Sequence, residues 1–235
     1  MEEIKKWIRD HKKILQKVAS SLLAFVLGAS LVFVIHPVKT LPKDRLLSLS
    51  RMQEASQQFV APSSKEPDLE NLLSLELARG EGKVQKSWVT LSAFFKKFGK
   101  AESYTEEETN FGARVQLGYG TPMKGIHPYK IEFQVQDGVF YLSAVQGFVP
   151  HSSLYKKKKD LKLADFTGYQ TLDGKKEKGT MVEEVLKKSG LPNSLSLTRT
   201  QDKHLLSLSY QVTDGLVSLT FERDQSGQYR LSKKG

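Results

Sequence analysis

The sequence predicts an α+β fold made of two tandem units, each with short helices packed on one face of a four-stranded antiparallel sheet, preceded by a transmembrane helix. Three observations carry this. Residues 18–35 are a charge-free apolar run, and beyond residue 70 apolar and polar residues alternate between Asp/Gly turns. Two stretches, one around Gly99 and one around Gly190, match in order and hydrophobic phase at a shift of 91 residues.

Composition narrows the chemistry. The chain has 235 residues, a net charge of +10, 39% hydrophobic and 26% charged residues, which excludes disorder over its whole length. It has no cysteine, so disulfide frameworks, thiolate nucleophiles, thiolate zinc sites and cysteine lipidation are excluded together. Histidines 11, 36, 127, 151 and 204 never fall at the i, i+4 spacing that places two imidazoles on one helical face, so no metal or cofactor is expected.

Residues 1–17 read as a cytoplasmic tail and 18–36 as a signal anchor. The run VASSLLAFVLGASLVFVI (Val18–Ile35) would cover about 27 Å as a helix, close to the ~30 Å of a hydrocarbon layer. Gly28-Ala29-Ser30 offers small residues for a peptidase, but Leu31–Ile35 continues the apolar run past them, which favours an uncleaved anchor. Six basic residues precede the segment (Lys5, Lys6, Arg9, Lys12, Lys13 and Lys17), and four follow it closely (Lys39, Lys43, Arg45 and Arg51). This bias places the amino terminus inside and the bulk of the chain outside. A cysteine-free extracytoplasmic domain suits a Gram-positive envelope.

Residues 37–69 form a stalk containing Pro37, Pro42, Pro62 and Pro67, with an amphipathic helix expected through Leu46, Leu49, Met52, Ala55 and Phe59. The first unit spans 70–151 and the second, with a basic linker, 152–235. In the second, Thr180 and Glu183 form a T-x-x-E capping box, Gly190 can take the left-handed position after the helix, and Pro192 blocks continuation. Four strand-like runs follow: SLSLTRT, KHLLSLSYQV, LVSLTFER and QYRLS. Leu206, Leu208, Tyr210, Val212, Val217, Leu219 and Phe221 share one face, with Ser207, Ser209, Gln211, Ser218, Thr220 and Glu222 on the other. In the first unit Val115, Leu117, Tyr119, Ile131, Phe133 and Val135 point inward, and Asp137-Gly138 turns the hairpin. Trp88, Leu91 and Phe95 share a helical stripe expected in the core, with Phe94 and Phe98 beside it.

The stretch GTMVEEVLKKSGLP (Gly179–Pro192), followed by a four-strand meander, resembles the repeat unit of the β-lactamase inhibitory protein superfamily, whose fold is shared with the small lipoprotein of the outer-membrane barrel assembly machinery. The likeness covers about residues 70–235. It implies tandem helix-helix-β4 units forming a curved sheet whose open face binds proteins. This chain departs from the pattern: it lacks the inhibitors' disulfides and the lipoprotein's lipid-bearing cysteine, and Ala101 replaces the motif's proline in the first copy.

No G-x-S-x-G or local Ser/His/acid arrangement is present, so catalysis is not expected. Glu106, Glu107 and Glu108 read as a solvated edge strand, His127 as a turn residue, and Gly118, Gly120 and Gly125 as a hairpin connection and not a phosphate loop. The candidate partner surface is the polar face of the first sheet, with Arg114, Gln116, Lys130, Glu132 and Gln134 around an exposed anchor, Tyr141. Lys156, Lys157, Lys158 and Lys159 are candidates for contact with an anionic lipid or wall polymer; nucleic acid is disfavoured because the aromatics take the inward phase. The functional expectation is a non-catalytic, membrane-anchored protein-binding or scaffold module of a bacterial cell envelope, with another envelope protein as partner. The alternatives are an inhibitor or regulator of an envelope enzyme, using the loop Gly120–Pro128, and a module that binds anionic lipid or wall polymer.

Overall fold

The computed structural model describes residues 59–79, 83–109, 112–148, 150–172, 179–200 and 203–235. The predicted tail, anchor and most of the stalk lie outside these residues. Among the described residues no helix is long and apolar enough to cross a membrane.

The described chain builds one mostly antiparallel sheet of eight strands in sequence order. These are β1 (Ser103–Thr109), β2 (Gly112–Tyr119), β3 (Tyr129–Gln136), β4 (Val139–Phe148), β5 (Ser194–Arg199), β6 (His204–Val212), β7 (Gly215–Arg223) and β8 (Tyr229–Lys234). Three short helices accompany them: α1 (Leu69–Leu73), α2 (Leu91–Phe98) and α3 (Val182–Ser189), with a 3-10 turn at Leu163–Phe166. The two four-strand meanders join through β4 and β5, from Ala144 opposite Thr198 to Phe148 opposite Ser194. Sequence alternation alone does not reveal this continuity, because the joining strands are 45 residues apart in the chain, 149–193 lying between them.

Apolar alternation places the core where expected. Val115, Leu117, Ile131, Phe133, Leu206, Leu208, Leu219 and Phe221 are all buried beneath the helices. Asp137 and Gly138 both adopt positive φ, 48° and 82°, as a two-residue hairpin of the favoured twist requires. Gly99 and Gly190 end α2 and α3 at φ 77° and 73° with ψ −168° and −163°, a region open essentially to glycine.

The same contacts recur in both halves. The Tyr119 hydroxyl donates to the Gly99 carbonyl at 2.8 Å, and the Tyr210 hydroxyl to the Gly190 carbonyl at 3.1 Å. Each sheet half has one register shift, at Glu132/Phe133 and at Thr220/Phe221. There Ser143 Oγ donates to the Glu132 carbonyl at 3.1 Å and Ser232 Oγ to the Thr220 carbonyl at 3.0 Å. A bulge leaves one residue out of the ladder, and serine supplies the bond that re-anchors it.

Two helix expectations change. The Thr180 hydroxyl accepts from the Gln170 N–H at 2.8 Å, while Met181, the residue at the cap of α3, makes no side-chain cap bond. The capping box does not form because Thr180 is committed to the strand-edge segment before it. It is α2 that carries a side-chain cap, Thr90 accepting from Ala93 N at 3.2 Å. Because α2 begins at Leu91, Trp88 lies outside it; Phe94 is the fully buried aromatic of this helix, against Tyr119 and Phe133, while Phe95 is only partly buried and stacks on Phe59.

Candidate binding face

Helices occupy one face of the sheet, so the polar phase of every strand is turned to the other. In the first half, strand register gathers five predicted residues. Arg114 lies opposite Gln134, Gln116 opposite Glu132, and Lys130 opposite Gln146. Their charges pair with one another. Arg114 Nε donates to Glu107 Oε1 at 2.6 Å, Gln116 Nε2 to the same oxygen at 3.0 Å, and Lys130 Nζ lies 2.9 Å from Glu132. Glu107 belongs to this network although it read only as part of an acidic edge; its register opposite Arg114 was the signal. Exposed pairs of this kind contribute little stability, about 0–1 kcal/mol each, and leave a nearly neutral surface.

Tyr141 departs from expectation. It is 9% exposed and lies under Trp88, edge to face at a centroid distance of 5.6 Å, with Ala78, Val84 and Val139 around the pair. The cause is backbone hydrogen bonding. β5 pairs with β4 only from Ala144 onward, leaving the first half of the β4 edge unpaired. Chain preceding α2 fills that edge: Ala78 N donates to the Leu142 carbonyl at 2.7 Å and Leu142 N to the Val89 carbonyl at 2.8 Å. This lays Trp88 across Tyr141. Tyr141 is therefore a packing residue and not an exposed anchor. The seven-residue spacing of Trp88 and Phe95, which suggested one helical stripe, is coincidental.

The second half leaves a cleaner surface. Two cross-strand rows of hydroxyls cross it, Ser194–Ser209–Ser218 and Ser196–Ser207–Thr220, and none of the six is buried. Small side chains in register make the middle of this face flat enough for another backbone to approach closely, with Phe148, opposite Ser194, and Leu205, opposite Thr198, at its two ends. Glu222, paired with Lys203 at 2.8 Å, and Arg230, paired with Asp224 at 2.7 Å, flank it.

The lysine run is not a loose linker. Leu191 N donates to the Lys156 carbonyl at 3.1 Å, Lys157 bridges to Gly190, and Lys158 Nζ donates to the Lys188 carbonyl at 2.6 Å. A Cβ on Gly190 would run into the Lys156 carbonyl oxygen. Lys156 to Lys159 are held, exposed, against the C-terminal end of α3, where cations are favoured. His127 is a loop residue as expected, its Nδ1 2.9 Å from the Gly120 carbonyl.

One cluster was missed. Glu76 pairs with Arg199 at 3.4 Å and with Arg223, and lies 3.0 Å from His204 Nε2, tying the segment before α2 to strands β5 and β7 and setting it against β6. Arg199 Nη1 also donates to the Leu77 carbonyl at 2.6 Å. Burial pushes His204 down to about 4, and Arg199 and Arg223 reinforce this against the opposing pull of Glu76. The signal was present: Arg199, His204 and Arg223 each occupy the apolar phase at a strand end, where a buried cation calls for a carboxylate. At the opposite edge Glu106 also points inward. Burial raises it to about 7, although the Tyr104 hydroxyl donates to it at 3.2 Å.

No protein-family model matches the chain, and no curated protein matches it. Among solved structures, one described as a putative beta-lactamase inhibitor protein from Streptococcus mutans aligns at 14% identity with a TM-score of 0.38. The alignment covers 62% of this chain and 80% of that one.

Proposed function

We propose that this chain is a non-catalytic, membrane-anchored protein-binding or scaffold module of a bacterial cell envelope, built of two copies of one unit and held outside the membrane by residues 18–36. The observation that carries the binding role is the sheet face of β5–β8, uncovered among the described residues, with its two rows of small hydroxyl side chains. An antiparallel sheet with helices on one side can offer its other side to a partner. The neutral charge ladder of Arg114, Gln116, Lys130 and Glu132 extends that face into the first half. The partner is another envelope protein whose surface is flat and largely uncharged, because there is little free charge here to steer it.

The test is co-purification of the full chain from detergent-solubilised native membranes. Ser207→Arg, on the open face, is expected to lose the partner, while Glu184→Arg, at an exposed position of α3, retains it. Equal recovery with both variants would reject the face. A second reading, inhibition of an envelope enzyme, draws on the loop 120–128, where a tight turn at Lys124 and Gly125 exposes Met123 and Ile126. It predicts stoichiometric inhibition that Ile126→Asp abolishes.

A further inference from the structure

Every exposed large apolar side chain among the described residues lies at one end of the sheet: Met123, Ile126, Phe148, Leu154, Leu163 and Leu216, exposed by 43% to 70%. Strand register places Met123, Ile126, Phe148 and Leu216, and Leu154 lies in the segment that leads from β4 to Lys156, whose carbonyl accepts from Leu191 N just after α3. Tyr119 pairs with Tyr129, Tyr129 with Gly147, Phe148 with Ser194, and Val212 with Gly215, so the β2–β3 loop, the end of β4 and the β6–β7 turn share that end. Leu163 reaches the same place, its N–H donating to Asp214 in the β6–β7 turn at 2.8 Å. The other end carries the Asp137-Gly138 and Asp224–Gln228 turns and the Glu76 ion pairs, with no exposed large apolar residue among those described.

Positive charge gathers at the same end. Lys156 to Lys159 are pinned there by Gly190, Lys124 tops the exposed hairpin, and Lys187 and Lys188 end α3. Carboxylates share that end: Asp165 accepts from Lys162 N at 2.8 Å and Asp214 from Leu163 N, Asp68 faces His151 at 2.8 Å, Glu70 accepts from Leu154 N at 3.3 Å, and Glu66 lies beside Gly120. The described chain also begins at this end, where Phe59 and Ala61 bond to Ala101 just before β1. Only residues 37–58 separate it from the apolar run, a connection of at most about 75 Å when fully extended.

We infer that this end of the sheet is a docking surface for an anionic phospholipid bilayer, with the lysines on headgroup phosphates and the six apolar side chains at the headgroup–acyl boundary. Lysines alone would suit any polyanion; the apolar tips among them favour lipid, because a soluble polymer offers them nothing to dissolve in. The inference rests on the anchor reading for the nearness of a bilayer. Phe148, opposite Ser194, and Leu216 share the phase of the open face, so the docked end meets that face at its edge. The rest of the face stands clear of the bilayer, since the strands run away from the docked end.

The absence of cysteine permits a clean test with the full chain. Single variants Ile126→Cys, Leu154→Cys and Gln225→Cys carry an NBD fluorophore; Gln225 lies in the β7–β8 turn, about 30 Å away along β7. The protein is reconstituted in vesicles of phosphatidylcholine, or of equal parts phosphatidylcholine and phosphatidylglycerol, with nitroxide-labelled acyl chains. The expected result is blue-shifted, quenched emission at positions 126 and 154 in the anionic vesicles only, with none at 225. High salt and the fourfold Lys156–Lys159→Gln variant should both remove it, and Trp88 emission in a Trp7→Phe background verifies the fold. Equal quenching at all three positions, or none at 126 and 154, would overturn the inference. So would burial of the probes by added wall polymer without lipid quenching. Flotation after an alkaline wash reports the anchor separately, so a failed anchor and a failed docking surface give different results.

Discussion

Replacing Glu76 by glutamine removes a single negative charge from among three basic groups. The Arg199 side chain is 6% exposed, His204 9% and Glu76 itself 26%, so water can replace little of the lost interaction. Removing one partner of a buried ion pair typically costs about 3–5 kcal/mol because the other charge is left uncompensated. Two features reduce this. Arg199 keeps the Leu77 carbonyl and Arg223 keeps the Gly227 carbonyl at 3.1 Å, and His204 is neutral near pH 7. A loss of roughly 2–4 kcal/mol is expected, a drop of about 4–16 °C in Tm for an ordered region of this size. Arg223→Gln should cost less, because Glu76 then retains Arg199. The assay is thermal and urea unfolding in detergent micelles, with Trp7→Phe as background so that Trp88 alone reports. Trp88 lies in the segment that Glu76 ties down, so its emission reads the right region. A Glu76→Gln loss below about 0.5 kcal/mol, the range of ordinary surface substitutions, would refute the latch.

Three further outcomes are expected. Between pH 6.5 and 4 the unfolded chain takes up a proton at His204 that the folded chain refuses, so this group's contribution, on the order of 3 kcal/mol, is complete above pH 6.5 and lost on acidification to about 4; His204→Gln should flatten that limb of a pH–stability curve. Glu106 acts in the opposite sense: its raised value of about 7 makes stability fall as pH rises from 4.5 to 7, and Glu106→Gln should be the more stable protein at pH 8, measured by urea midpoint. Phe94→Ala should cost about 3–5 kcal/mol and Phe95→Ala clearly less, the order that distinguishes the observed helix phase from the Trp88–Phe95 stripe.

Much of the fold was legible because strand alternation and glycine conformation are local. Leu206 to Val212 and Val217 to Phe221 declare their buried face by period, Asp137-Gly138 its turn, and Gly190 the end of α3. What escaped depends on pairing between distant segments. The β4–β5 junction, the strand edge filled by Ala78 and Val89, and the binding of Glu76 by Arg199, His204 and Arg223 leave no periodic trace. Tyr141 shows the consequence: its strand phase was read correctly, but phase says which face a side chain takes and not what covers that face. The hydroxyl rows of β5–β7 are visible in the sequence only as polar phase, because serine and threonine lack the charge that marks Arg114 and Lys130.

A protein partner is proposed to seat on the face of β5–β8 that is uncovered among the described residues. The most direct measurement places the photo-crosslinking residue p-benzoylphenylalanine at Ser207 and Ser218, and as a control at Glu184 on α3, in the full chain in its native cells. One discrete adduct containing an envelope protein is expected from both sheet positions, and none from Glu184. Adducts from Glu184 alone, or none from either serine, would contradict it.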